Sequence, residues 1–125
     1  MIHLDTHAVI WLYERRLDAF PVRLRQRMDV RRPLVSPMVR LELALLHQVG
    51  RLVPTAEEVL ADLHERADLG VAESSFDRVA AIACGFSWTR DPFDRLIAAH
   101  AHADDVPLVT KDATILANCR VAIWD

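Results

Sequence analysis

The first eleven residues, MIHLDTHAVIW (residues 1–11), set the reading of the whole chain. Met1–Leu4 is short and mostly apolar, and Ala8–Leu12 is apolar again. The first run reads as a buried strand and the second as part of a helix from Thr6 to about Glu14. Between them stands Asp5. A carboxylate between two buried segments is costly unless its charge is met or its oxygens are hydrogen-bonded. Asp5 therefore either caps the following helix, a role Thr6 can also fill, or faces a cation or a substrate.

Outward from this stretch the same unit repeats. Leu17–Asp29 carries a helical pattern interrupted near Pro21, and Leu34–Ser36 reads as a short strand. Pro37–Val49 follows as a helix ended by Gly50, and Thr55 caps a helix over Ala56–Ala67. Leu69–Ala72 is a weak strand, and Phe76–Cys84 a helix closed at Gly85. Pro92–Ala103 is an alanine-rich helix, Pro107–Thr110 a strand, Ala113–Leu116 the start of another helix, and Arg120–Trp124 a last strand. Short apolar strands alternating with helices imply an α/β fold: a central, mostly parallel sheet of four to five short strands flanked by helices in three layers. Sites in such folds gather at the carboxyl ends of strands. Asp5 follows the first strand, and Asp112 follows Leu108-Val109-Thr110 in the same way.

At 125 residues the chain reads as a single domain, 1–125, and it is long enough to bury roughly two-thirds of its extended surface. Cys84 and Cys119 form no CxxC pair, so they are expected as buried free thiols in a reducing cytoplasm. No basic start and apolar run resembles a leader, and no apolar stretch is long enough to cross a bilayer. The net charge of −3 argues mildly against a nucleic-acid partner, but its distribution is uneven. Between Glu14 and Arg32 stand seven arginines and three acids, a window of +4 that leaves −7 elsewhere. Fourteen of the fifteen basic residues are arginine, which pairs with phosphate bidentately. Arg15, Arg16, Arg23, Arg25 and Arg27 are thus candidates for contacting nucleic-acid phosphates, against the plainer reading of a solvated helix face.

Four carboxylates stand at informative positions. On a helix of 100° per residue, Glu42 falls among Met38, Val39, Leu45, Leu46 and Val49, opposite Arg40 and His47. Within RDPFDR (90–95), Asp91 is a ready cap before Pro92, whereas Asp94 shares a face with Ile97, Ala98 and Ala101. Of the two, Asp94 is the one expected in a site. Asp112 alone would be a cap. Together with Asp5, these acids can converge on one cleft, where like charges repel unless a cation neutralises them. Oxygen-only ligation selects Mg²⁺ or Mn²⁺, and such a centre suits phosphodiester hydrolysis.

At these residues the sequence resembles PIN-domain proteins, specifically the VapC-type toxin ribonucleases of bacterial toxin–antitoxin pairs. The matching stretches are LDTHAVIW (4–11), VRLELALLHQVGRL (39–52), RDPFDRLIAAHA (90–101), PLVTKD (107–112) and VAIW (121–124), in order over nearly the whole chain. The resemblance implies a parallel α/β sandwich and a Mg²⁺- or Mn²⁺-dependent endoribonuclease with Asp5, Glu42, Asp94 and Asp112 as its catalytic set. Asp5 and Asp94 would be the chief metal ligands, with Asp112 and Asp91 as secondary candidates. Glu42 would orient a ligand or the attacking water. The resemblance also implies a homodimer, and inhibition by a small VapB-like antitoxin whose C-terminal segment covers the site.

Two other readings share parts of this pattern. A phosphatase of the haloacid-dehalogenase type also puts an Asp at a strand end, but Asp5-Thr6-His7 lacks the second acid of a DxD pair and Lys111 is the sole lysine. A non-catalytic RNA-binding module on the same fold would bind its partner without Asp5. The six histidines are scattered and read as surface or core residues, with His7 a minor site candidate.

Overall fold

The computed structural model describes residues 1–125. Its thirteen elements alternate as the sequence suggests. Strand β1 (Ile2–Leu4) leads into helix α1 (Thr6–Tyr13), a 3-10 turn (Leu17–Ala19) and α2 (Val22–Asp29). Then come β2 (Pro33–Val35), α3 (Pro37–Gln48), α4 (Ala56–Ala67), β3 (Gly70–Val71) and α5 (Phe76–Cys84). The chain closes with α6 (Pro92–Asp104), β4 (Leu108–Val109), α7 (Ala113–Asn118) and β5 (Ala122–Ile123).

All five strands pair in parallel, in the order β3-β2-β1-β4-β5. The chain builds outward from β1 through β2 to β3, returns to β1 with β4, and builds outward again on the other side. The switch point between β1 and β4 is where an open α/β sheet leaves a crevice at its carboxyl edge. Pairing of Leu4 with Val109 sets the register, and the Asp5 amide donates to the Val109 carbonyl at 3.1 Å. Asp5 and Thr110 are thereby neighbours at that edge.

Both faces of the sheet are covered, which is why the strands are short apolar runs rather than alternating ones. Ile2 and Leu4 join Val9, Leu24, Val59, Leu60 and Leu63 from α1, α2 and α4 in a core of 21 buried residues. His3 points to the other face, where its Nε2 meets Asp104 Oδ2 at 2.7 Å and its ring lies 5.6 Å from that of buried His100. Burial lowers the His3 pKa, opposed by the hydrogen bond that joins its ring to Asp104, and His3 is a buried core residue. Helices α5 and α6 cover this side through Val79, Ala83 and Ala99. Helix α3 touches both α4 and α6.

Local chemistry explains the boundaries. Thr55 and Glu58 form a reciprocal capping box at the start of α4, with amide-to-side-chain distances of 3.1 and 3.2 Å. Ser36 caps α3 ahead of Pro37, and Asp91 caps α6 ahead of Pro92. Gly50 takes φ +79°, the left-handed turn that lets the chain leave α3.

The pattern over Leu17–Asp29 is two elements, separated where Phe20 and Pro21 turn extended, so Pro21 stands at a break and heads the second helix. Two expectations need correction. The buried face of α3 is Val39 and Leu43, while Leu45 and Val49, placed beside Glu42 in the apolar stripe, are 39% and 64% exposed. Glu42 therefore stands at the border of the packed face rather than in its middle. Cys119 is buried, but Cys84 at the end of α5 is exposed, and both thiols are free.

Candidate active site

The crevice at the switch point is a cleft of about 350 Å³ lined by Asp5, Glu42, Asp94 and Asp112. Each acid comes from a different part of the chain, and each is held in its own way. Asp5 is the helix cap its position suggested, and it also lines the cleft. Its Oδ1 accepts the Ala8 amide at 2.9 Å as the N-cap of α1, and its Oδ2 accepts the Thr110 hydroxyl. It is only 7% exposed, and burial raises its pKa while those two hydrogen bonds oppose the rise.

Asp112 is the N-cap of α7, its Oδ1 accepting the amides of Thr114 and Ile115 at 2.8 and 2.9 Å. The Thr110 hydroxyl ties the two strand-end acids together, donating to Asp5 and accepting the Asp112 amide at 3.1 Å. Glu42, half-buried on the second turn of α3, accepts the Thr6 hydroxyl through Oε1. Burial pushes its pKa up, and Asp91 and Asp5 add to the push.

Asp94 differs from the other three. Neither of its oxygens accepts a hydrogen bond from any side chain or amide, although it lies half-buried in the cleft wall. Its neighbours Ile97, Ala98 and Ala101 are buried, so the small alanines let α6 approach the sheet closely. Burial, then the charges of Asp91, Asp112, Glu42 and Asp5, push the Asp94 pKa up to about 6. Asp91 spends Oδ1 on the amides of Phe93 and Asp94 at 2.8 and 3.2 Å and does not line the cleft. It acts on the cleft as a charge from the rim.

The donor set fits a hard divalent cation in one specific sense. All four cleft acids offer oxygen, and Asp94 keeps both oxygens free where negative charge is already excessive. No three His, Cys, Asp or Glu side chains are spaced to enclose an ion. An ion that takes one or two carboxylates and keeps most of its waters, as Mg²⁺ does, needs no such enclosure. Asp5 and Asp94 are the residues that would hold it, with Asp112 next.

The arginine segment is not brought to this cleft as one patch. Arg25 and Arg31 line a second cavity of about 590 Å³, together with Arg66, Asp29 and apolar residues that include Ile2 and Pro33. That cavity opens at the amino ends of β1 and β2, on the opposite edge of the sheet. Arg27 bonds the Asp125 carbonyl at 2.8 Å, and Arg15, Arg16 and Arg23 are exposed without side-chain partners. The cleft itself is lined by one lysine, Lys111, and by His7 and Trp11.

Thr6, Trp11 and Lys111 line the cleft, and Thr110 is buried behind its acids, and the sequence did not single out any of the four as such. The hydroxyls had a signal, since they flank the strand-end acids in Asp5-Thr6 and Thr110-Lys111-Asp112. Trp11 had none, because an indole one turn into a helix reads as core.

With this geometry in place the comparisons are direct. The PIN domain family model matches residues 2–120, so this chain belongs to the PIN-domain family. No curated protein matches it in sequence. A chain of the VapBC2 crystal structure from Rickettsia felis, bound to a DNA fragment from their promoter, is similar in fold with a TM-score of 0.70, 19% identity and full coverage of both chains. A chain of DNA-bound VapBC from Salmonella typhimurium is similar at 0.61 and 17% identity, over 97% of this chain and 93% of that one. No helix here is long and apolar enough to cross a membrane.

Proposed function

We propose that this protein is a divalent-metal-dependent endoribonuclease and the toxin of a toxin–antitoxin pair. The observation that carries this reading is Asp94: an unbonded, half-buried carboxylate whose pKa reaches about 6 beside three further acids. Structural ion pairs do not leave such a group unmatched, whereas a divalent cation in the cleft would match it. Mg²⁺ or Mn²⁺, when bound, would lower the pKa of a water and stabilise charge on the phosphoryl oxygens.

The chain's own part is positioning. Asp5, fixed by the Ala8 amide and the Thr110 hydroxyl, presents a carboxylate that cannot swing away. Asp94 supplies the partner on the facing helix. Glu42, oriented by Thr6, is placed to accept a proton from an attacking water, and its raised pKa suits that task. Asp112 keeps the local field negative. RNA is the expected substrate, with Arg15, Arg16, Arg23, Arg25 and Arg27 as outlying phosphate contacts. The VapBC neighbours support a small VapB-like antitoxin partner; a homodimer and a cytoplasmic setting enter the same proposal from the family resemblance alone.

Purified protein is expected to cut RNA with Mg²⁺ or Mn²⁺ and to stop with EDTA. Cleavage that persists in EDTA and in an Asp5→Asn variant would overturn both metal and site. Metal-independent RNA binding without any cleavage would instead favour the non-catalytic module.

A further inference from the structure

One wall of the acidic cleft is aromatic and cationic, and the metal reading gives it no task. Trp11 lines the cleft one helical turn beyond His7, with the two rings 6.0 Å apart. Its indole is wedged from behind: Phe20 meets it nearly edge-on at 5.9 Å and 83°, and Trp124 at 5.8 Å and 62°. Phe20 is buried, so the wedge is rigid. Over the ring lies the Lys111 ammonium, 5.9 Å from the centroid, at the outer limit of a cation–π contact. Lys111 is exposed and makes no ion pair, although Asp112 is its neighbour in sequence and three more acids line the same cleft.

An exposed ammonium among carboxylates that pairs with none of them is uncommitted. A fixed aromatic face beneath it is available once the ammonium moves. These are the two things an incoming polynucleotide needs at this place. Its phosphate must approach four carboxylates, and Lys111 is the one lysine or arginine that lines the cleft. Its base, if unpaired, has a free π-face that stacks on an aromatic side chain without regard to sequence. A paired base has no such face to offer.

We propose that Trp11 is the stacking platform for one unpaired base of the RNA, and that Lys111 leaves the indole for the adjacent phosphate as the strand seats. The proposal rests on the reading of the cleft as an RNA site, and it names the two side chains that would seat the strand there. Lys111 and Trp11 thereby exchange a contact with each other for contacts with the ligand. The acids are left to the metal.

The test separates binding from hydrolysis. A fluorescent pool of twelve-nucleotide single-stranded RNAs of random sequence, and a self-complementary twelve-nucleotide duplex, are titrated with the full-length protein by anisotropy, with Ca²⁺ in place of Mg²⁺. The single strands should bind more tightly than the duplex. Trp11→Ala should weaken single-strand binding between about five- and a hundredfold, and Trp11→Phe should keep most of it. Lys111→Met, at an exposed position where folding is not at stake, should weaken binding and reduce the salt slope by about 0.7. In the native protein, 5-iodouridine in the same pool should photo-crosslink to Trp11. Equal binding of strand and duplex, a Lys111→Met slope like that of the native protein, or crosslinks that avoid Trp11 would overturn the proposal. Trp11-dependent binding by a protein that cuts no RNA with any metal would sink the ribonuclease reading and leave this one standing.

Discussion

Two hollows in this molecule lie at opposite edges of one sheet and differ in almost every respect. The one at the carboxyl edge holds about 350 Å³ and four carboxylates. The one at the amino edge holds about 590 Å³, with three arginines, a single acid and a mainly apolar lining. Parallel topology produces the contrast. Every helix that follows a strand starts at the carboxyl edge, so amide donors point there and acids are stabilised as caps, as Asp5 and Asp112 are. Helix ends gather at the other edge, where Arg66 donates to the carbonyls of Leu12 and Tyr13 at the end of α1. Arg31 does the same to the Arg27 carbonyl near the end of α2. Size therefore says little about chemistry here. The smaller hollow is the one whose charges are not used up by the fold.

The contrast breaks most clearly at Asp94. Asp94→Asn and Asp5→Asn should each lower metal-dependent cleavage by on the order of 10²-fold or more, since each removes a charge that only the metal and the reaction need. Asp91→Asn should leave most activity and the metal affinity intact, because Asn caps a helix about as well as Asp. Kinetics with metal titration on the three variants side by side decide the matter. If Asp91→Asn loses the metal while Asp94→Asn keeps it, the helix-face assignment is wrong.

A smaller effect is expected one step back from the metal. Thr110→Val removes the hydroxyl that ties Asp5 to the Asp112 amide, and Thr6→Val frees Glu42. Each should cost about 10- to 100-fold in metal affinity or rate and about 1 kcal/mol of stability. Unchanged kinetics with a lowered melting temperature would make these hydroxyls props of the fold alone.

These residues also mark how far the sequence could be read. Punctuation made the architecture legible: Pro37, Pro92, Gly50 and the Thr55 cap gave helix ends within a residue or two, and alternation gave the parallel sheet. The four acids were legible because a carboxylate at a strand end or on a packed helix face is costly. What was hidden depends on three dimensions. Glu42 looked central because a 100° count cannot tell which of two adjoining apolar stripes meets the core, and Leu45 and Val49 turned out exposed. Trp11 and Lys111 meet only because β4 lies beside β1. The arginine window looked like one patch, yet the turn at Phe20-Pro21 and the course of α2 send its members to different surfaces.

That dispersal makes the arginines the next test. Reversing the charge of Arg23, Arg25 and Arg27 together should weaken RNA binding several-fold and flatten its dependence on salt by about 2 in slope if all three meet phosphates. An unchanged slope would leave them as supports of the amino edge, and the contrast between the two hollows would then be complete.

The smallest effect concerns the protein without metal. An Asp94 carboxyl with a pKa of about 6 when folded, against about 3.9 when unfolded, holds its proton longer in the native state. Between roughly pH 4 and pH 6 the folded chain thus binds more protons than the unfolded one, and stability falls as pH rises through that window. Its contribution is fully present below the unfolded value and gone above the folded one. Burial raises the pKa of Asp5 and Glu42 in the same direction, whereas His3 and His100 are lowered by burial and weaken the fold as pH falls. The total slope mixes these groups, so the informative quantity is a difference. In EDTA, Asp94→Asn should melt above the native protein at pH 7.5, and the gap should close as pH is lowered to 4. Mg²⁺ should narrow the gap from the other side by stabilising only the native protein. A gap that stays constant across pH would mean that Asp94 is not held under repulsion, and the carboxyl edge would lose the unmatched charge that sets it apart.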